Sequence, residues 1–237
     1  MSESFATPAV TTTIEDGVAV IRLDDGKVNV VSHAVLAALH EGLDQALEAA
    51  TAVAIIGREG KLSAGFDLTE MQAGIQNTQR LVGAGGKLMM RLFGHPQPTV
   101  IAVTGHALAA GALITLSCDT RIAGDGPAKI GLNETAIGMG LPIFALELAK
   151  ARLNTSHLGR STIQAEIYDP AGALAAGYVD QVVPAADVER IAIEEARRLG
   201  QLPNSAYKFT KLALRRDLID HVLATIDDDM VNMTTPR

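Results

Sequence analysis

Residues 99–123 read TVIAVTGHALAAGALITLSCDTRIA, and their pattern decides the fold class. Thr99–Thr104 is a short apolar run rich in β-branched residues, the mark of a strand buried on both faces. After a glycine turn, Ala109–Ser117 is small and apolar, the composition of a buried helix. Thr120–Ala123 then reads as a strand again. Strand, buried helix and strand in succession define an α/β arrangement with parallel pairing. The same stretch could mislead a hydropathy plot, because the 27 residues between Arg91 and Asp119 carry no formal charge apart from two histidines. A membrane span needs about 20 continuous apolar residues. Here Pro96, Gln97, Pro98, Gly105 and His106 break the run, so the reading is two core elements and no membrane association.

Working outward, residues 9–23 read as a hairpin turning at Glu15-Asp16-Gly17. Ser32 is placed to cap a helix with Val35, Leu39, Leu43, Ala46 and Leu47 on one face. AVAIIG (52–57) is a strand, followed by a polar, glycine-bearing loop through Gly65 and a helix over about 74–93. Lys129–Gly131 forms a short strand, and Pro142 suits the first turn of a helix running to about Ala151. Asp169-Pro170 caps a further helix ahead of a strand at Tyr178–Val183. From Pro184 the pattern is helical, over 185–200 and 204 to about 226. The expected organisation is an α/β core over residues 1–184 and a helical region over residues 185–237.

Composition narrows the function classes. The chain has 237 residues, a formal charge of −7 and eight aromatics (five Phe, three Tyr). An acidic balance with few stacking rings argues against a nucleic-acid partner. Cys118 is the only cysteine and has no disulfide partner, and MSESFATPAV has no basic stretch leading into an apolar one. Both point to a reducing, cytoplasmic setting. The six histidines (33, 40, 95, 106, 157, 221) are scattered without ligand spacing, so no metal site is expected. Gly86-Lys87 imitates the end of a phosphate loop, but Leu81 and Leu88 stand where the motif needs glycine and a hydroxyl. Ser63-Ala64-Gly65 is half a nucleophile elbow, with Lys61 in place of its first glycine.

Three segments carry chemistry. In KLSAGFDLTEM (61–71) a small-residue run after a strand leaves backbone amides free to meet a ligand; it reads equally as a surface turn with Asp67 capping a short helix. In GHALAAGALITLSC (105–118) a helix of small residues begins at a glycine turn, its first amides open to an anionic oxygen or simply packed in a core. In IGLNETAIGM (130–139) Glu134 is the only formal charge between Lys129 and Glu147. An apolar setting raises a carboxyl pKa and makes a better base; a solvated cap is the other reading.

These segments, in this order, resemble the crotonase superfamily, the enoyl-CoA hydratase/isomerase family. The resemblance also takes in the hairpin, KVNVVS (27–32), AVTGHALAAGALITLSCDTRIA (102–123) and AGALAAGYVDQVVP (171–184). It implies a spiral of ββα turns followed by a helical trimerisation region, hence a homotrimer or a hexamer of two trimers. It implies an acyl-CoA substrate of fatty-acid β-oxidation, with coenzyme A entering as part of the thioester and no separate cofactor. Carried over by position, the oxyanion donors are the N–H groups of Phe66 and Ala110, the latter standing where glycine is more usual. Ser63, Ala64, Gly65, Asp67, Leu68 and Leu113 would line or hold the substrate path. Lys27 and Lys61, and equally the run Lys208, Lys211, Arg215 and Arg216, are candidates for the CoA phosphates.

Family hydratases hold their water between two glutamates. Here the second is Glu134, but the first position is Leu113, which cannot orient water. The resemblance therefore favours the Δ3,Δ2-enoyl-CoA isomerase branch, which works with one glutamate. A hydratase using some other residue is the alternative. A further one is an acyl-CoA-binding protein without turnover, suggested by the replaced glutamate and by final helices that end early at Arg237. Asp119 and Arg121 are expected to pair with each other at the surface, Cys118 to fill core, and His106 to pack or hydrogen-bond.

Overall fold

The computed structural model describes residues 9–232; the MSESFATP start and the ending at Arg237 lie outside them. β1 (Val10–Glu15) and β2 (Val18–Leu23) form the expected antiparallel hairpin, turning through Asp16 and Gly17 at positive φ. β3 (Val30–Val31) leads into α1 (His33–Ala49), capped by Ser32 accepting the Val35 N–H at 3.2 Å. Leu47, read onto the buried face of α1, is 47% exposed. The helical period carries it to the margin of the stripe set by Leu36, Leu39, Leu43 and Ala46.

After β4 (Ala52–Gly57), the loop expected through Gly65 contains two strands, β5 (Gly60–Ser63) and β6 (Gly65–Phe66). α2 (Leu68–Gln72), α3 (Ile75–Phe93) and β7 (Thr99–Val103) follow. A further strand, β8 (Gly105–Leu108), stands where a simple glycine turn was expected ahead of α4 (Ala110–Ser117). The chain continues through β9 (Thr120–Gly124), β10 (Ile130–Gly131) and α5 (Ile143–Arg152), with Pro142 at the N-cap rather than inside the helix. α6 (Thr155–Thr162) has no counterpart in the sequence reading. α7 (Pro170–Ala176) is capped by Asp169 as expected, but β11 (Gln181–Val183) begins later than Tyr178. α8 (Val188–Leu199) and α9 (Asn204–Asn232) complete it, α9 running past 226.

The main sheet has six strands in the order β1-β2-β4-β7-β9-β11, parallel from β2 onward. A second sheet, β10-β8-β5, is also parallel, and β3 pairs β6 in a third. Three successive turns of chain therefore place a main-sheet strand, a second-sheet strand and a helix: β4-β5-α3, β7-β8-α4 and β9-β10-α5. That is the spiral the resemblance implied.

Alternation along the parallel strands divides the core in two. Ala19, Ile21, Val53, Ile55, Ile101 and Val103 face the large interior with α1, α3 and α4. Val18, Val20, Ala54, Ile56, Val100 and Ile122 face the other way, onto Val188, Ala192 and Ala196 of α8. So α8, within the region expected as a helical appendage, lies against the main sheet. α4 is buried at every residue, which accounts for its uncharged sequence. Among the described residues no helix is long and apolar enough to cross a membrane.

Asp119 and Arg121 do not pair with each other. Asp119 takes Lys211 Nζ at 2.5 Å, Arg215 at 2.6 Å, the Tyr207 hydroxyl at 2.9 Å and the Thr99 N–H at 2.9 Å. Arg121 reaches Asp180 and the Gly177 carbonyl. The pattern 119/121 puts both side chains near one strand end, but their partners lie far along the chain. Both charges are buried rather than at the surface. Burial would push the Asp119 carboxyl up; Lys211 and Arg215 outweigh it and hold it below its ordinary value. Cys118 is fully buried, its thiol pushed up to about 12 by burial.

Candidate active site

Glu134 follows β10 and opens a 3-10 turn, its carbonyl accepting the N–H groups of Ile137 and Met139 at 3.0 and 2.9 Å. Thr135 Oγ1 donates to the Thr162 carbonyl at 3.0 Å, which ties the turn to α6. The residue is 8% exposed, and its Oε2 has no hydrogen-bond partner. Burial raises its carboxyl to about 7. At neutral pH it is therefore poised to take a proton and return it.

The two backbone amides singled out from sequence, those of Phe66 and Ala110, belong to different turns of the spiral. Ser63 Oγ donates to the Asn29 carbonyl at 2.6 Å and accepts the Gly65 N–H at 3.1 Å. Gly65 sits at φ +107°, a conformation that favours glycine. Asp67 donates its N–H to the Val31 carbonyl at 3.1 Å. Alternation along the strand turns the Phe66 N–H away from β3. Asp67 Oδ1 accepts the Thr69 N–H at 2.7 Å, so this side chain caps α2.

At the second segment, Ala109 adopts φ 49° and ψ −118°, strained for a residue with a Cβ. Its N–H donates to the Gly131 carbonyl at 3.1 Å, and its carbonyl accepts the Leu113 N–H at 3.0 Å. Ala110 is the first residue of α4, where amides have no acceptor within the helix. No positive φ falls on Ala110 itself, so alanine is tolerated there. The two segments touch: a methyl built on Gly65 would lie 3.0 Å from Ala109 Cβ and 3.7 Å from the Ala110 nitrogen.

A cleft of about 170 Å³ opens at this junction. Its wall includes Ala64, Phe66, Leu68, Leu113 and Glu134 of the residues singled out from sequence. Ser63, Gly65 and Ala110 lie buried behind the wall, and Asp67 is turned to α2. Leu113 is 1% exposed and apolar, so the carboxyl of Glu134 has no second acid from that position. Sequence reading missed Met71, Val82, Asn133, Ile137 and Phe144, which also line the wall. Only Asn133 carried a signal, as the polar neighbour of Glu134; its Oδ1 is buried without a partner.

The basic candidates separate. Lys211 and Arg215 are committed to Asp119, leaving that run half spent. Lys61 stands beside His106 in the β5–β8 register, and His106 Nδ1 accepts the Lys129 N–H at 2.9 Å. Burial, then the charges of Lys61 and Lys129, lower the His106 imidazole, which marks a local positive patch. Lys27 is exposed one residue before Val28, whose carbonyl accepts the Ala64 N–H at 3.0 Å. Among the described residues no group of three or more His, Cys, Asp or Glu could hold a metal ion.

A spiral fold with a cleft where two of its turns meet and one buried carboxyl in that cleft suits chemistry next to an activated carbonyl. The chain belongs to the enoyl-CoA hydratase/isomerase family, whose model matches residues 13–236. It is 30% identical over 226 residues to human mitochondrial enoyl-CoA delta isomerase 1, covering 92% of this chain and 74% of that one. Among solved structures, an enoyl-CoA hydratase/isomerase family protein from Pseudomonas syringae is similar at 41% identity and a TM-score of 0.93, covering 95% of this chain and 98% of that one. An enoyl-CoA hydratase from Mycobacterium marinum is similar at 36% identity and a TM-score of 0.90, covering 95% and 100%.

Proposed function

We propose that this enzyme shifts the double bond of a 3-enoyl-CoA to give the conjugated 2-enoyl-CoA. The observation that carries the reading is one buried carboxyl with an unpartnered oxygen, Glu134, sharing its cleft with an apolar Leu113 and no second acid. Glu134 takes a proton from C2, and the electron pair moves through the thioester onto its oxygen. The N–H groups of Phe66 and Ala110 stabilise the dienolate; losing one such donor typically costs about 2.7–4 kcal/mol in the barrier. The protonated carboxyl then returns the proton at C4. One base serves both carbons because both present the same face of a planar dienolate. Lys27, Lys61 and Lys129 are the cations that would meet the CoA phosphates, a role supported by the positive patch that Lys61 and Lys129 make beside His106. A trimer, or a hexamer of two trimers, agrees with the exposure of Phe209, Leu214 and Val231 along α9.

Hydration of a 2-enoyl-CoA is the second reading, and Asn133 is the observation for it. Its unpaired Oδ1 is buried in the cleft it shares with Glu134 and could hold a water that Leu113 cannot. Purified protein given 3-enoyl-CoA and, separately, 2-enoyl-CoA decides between them, followed by the absorbance of the conjugated thioester and by product analysis. Isomerisation far faster than hydration is expected. Hydration at a comparable rate sinks the first reading, and tight binding without turnover of either sinks both.

A further inference from the structure

Glycine weakens a helix interior and persists there for a packing or functional reason. α3 carries three in close succession, Gly83, Gly85 and Gly86. A methyl at Gly83 would lie 3.1 Å from Met230 Cγ, and one at Gly86 would lie 2.7 Å from both Phe144 Cδ1 and Ile226 Cδ1. Those two glycines seat α5 and α9. Gly85 does something else: a methyl there would lie 2.5 Å from both Cε1 and Cζ of Phe66.

We propose that Gly85 is a positioning residue for the reaction, the notch in α3 that receives the Phe66 ring and so fixes the direction of the Phe66 N–H. The inference rests on the reading of that amide as an oxyanion donor and adds to it a residue from another turn of the spiral. The ring has few ways to yield. On one side, Gly65 faces Ala109 with too little space even for a methyl; on the other, the Asp67 N–H is held by Val31 and the Asp67 side chain by α2. A ring displaced from α3 turns its own backbone, which misdirects the amide, or swings into the cleft wall it already forms. Misplacement by about 1 Å at a reacting centre can cost on the order of 100-fold in rate.

The experiment compares wild type, Gly85→Ala, Phe66→Leu and the double variant. A short saturated acyl-CoA labelled with carbon-13 at the thioester carbonyl, with no double bond to shift or hydrate, is bound, and its infrared stretch reads polarisation by the two amides without turnover. kcat and KM on a 3-enoyl-CoA are measured alongside. Gly85→Ala is expected to lose most of the carbonyl shift and about tenfold in kcat, with KM within about threefold. Phe66→Leu removes the colliding ring atoms and keeps the amide, so the double variant should return to the level of Phe66→Leu alone. A wild-type carbonyl shift in Gly85→Ala, or a double variant no better than Gly85→Ala, overturns the proposal. Where Gly85→Ala does not fold, the double variant decides: a folded protein with a polarised carbonyl supports the notch, and failure to fold refutes it. A wild-type protein that leaves the carbonyl unpolarised refutes the oxyanion reading itself, whatever Gly85 does.

Discussion

Asp119 and Glu134 are both buried acids, 7% exposed at the side chain and 8% overall, and the fold treats them in opposite ways. Asp119 is surrounded by two cations, a hydroxyl and an amide, and its carboxyl is held low. Glu134 has apolar walls and an oxygen with no partner, and its carboxyl is raised to about 7. A buried charge with full partners is fixed in one state and serves structure. One left without them sits between states, as proton transfer requires.

The largest expected effect tests the second half of that contrast. Glu134→Gln keeps the shape and removes the base, so turnover of 3-enoyl-CoA should fall about 10³-fold or more while thermal unfolding shows an intact fold. Activity near wild type would remove Glu134 from its role. In the wild type the rate should rise with pH through about 7, following the carboxylate form. Because the folded carboxyl sits above its unfolded value, the folded state binds the extra proton between about 4.5 and about 7. This group's contribution to stability therefore declines as pH rises across that window. Asp119 has the reverse sign: its stabilisation is present above its ordinary value and is lost as pH falls through its lowered one.

Asp119→Ala tests the first half. It strands Lys211 and Arg215 in the interior, and breaking such a buried pair costs about 3–5 kcal/mol. Denaturant unfolding should show that loss, with kcat per folded molecule little changed. A smaller effect is expected from Leu113→Glu, which gives the cleft a second acid. Hydration of 2-enoyl-CoA should rise above the wild-type level, with stability lowered because a carboxyl is newly buried. The smallest is Lys61→Ala: KM for CoA thioesters should rise about threefold, less so at high salt, as expected for a screened surface charge.

How much of this was legible follows the range of the forces. β4, β7 and α1 show in the sequence because apolar runs and a capping Ser32 act locally. β5, β6 and β8 do not, since strands of two to four residues with glycine and polar positions exist only through their neighbours. α6, TSHLGRST, has too few apolar residues to announce itself. At the site, Glu134 stood out as a lone charge in an apolar stretch. Met71, Val82 and Phe144 looked like ordinary core until the spiral brought them to one wall. The Asp119 partners, 92 and 96 residues away, left no local trace.

That separation has a consequence for the order in which the molecule is built. During synthesis at about 5–20 residues per second, Asp119 leaves the ribosome roughly 5–20 s before Lys211 and Arg215. Until then the nascent sheet lacks the two cations that neutralise this acid, and the interior around β7 and β9 is expected to close tightly only when α9 arrives. The last helix acts as the clasp on a structure otherwise ready to shut.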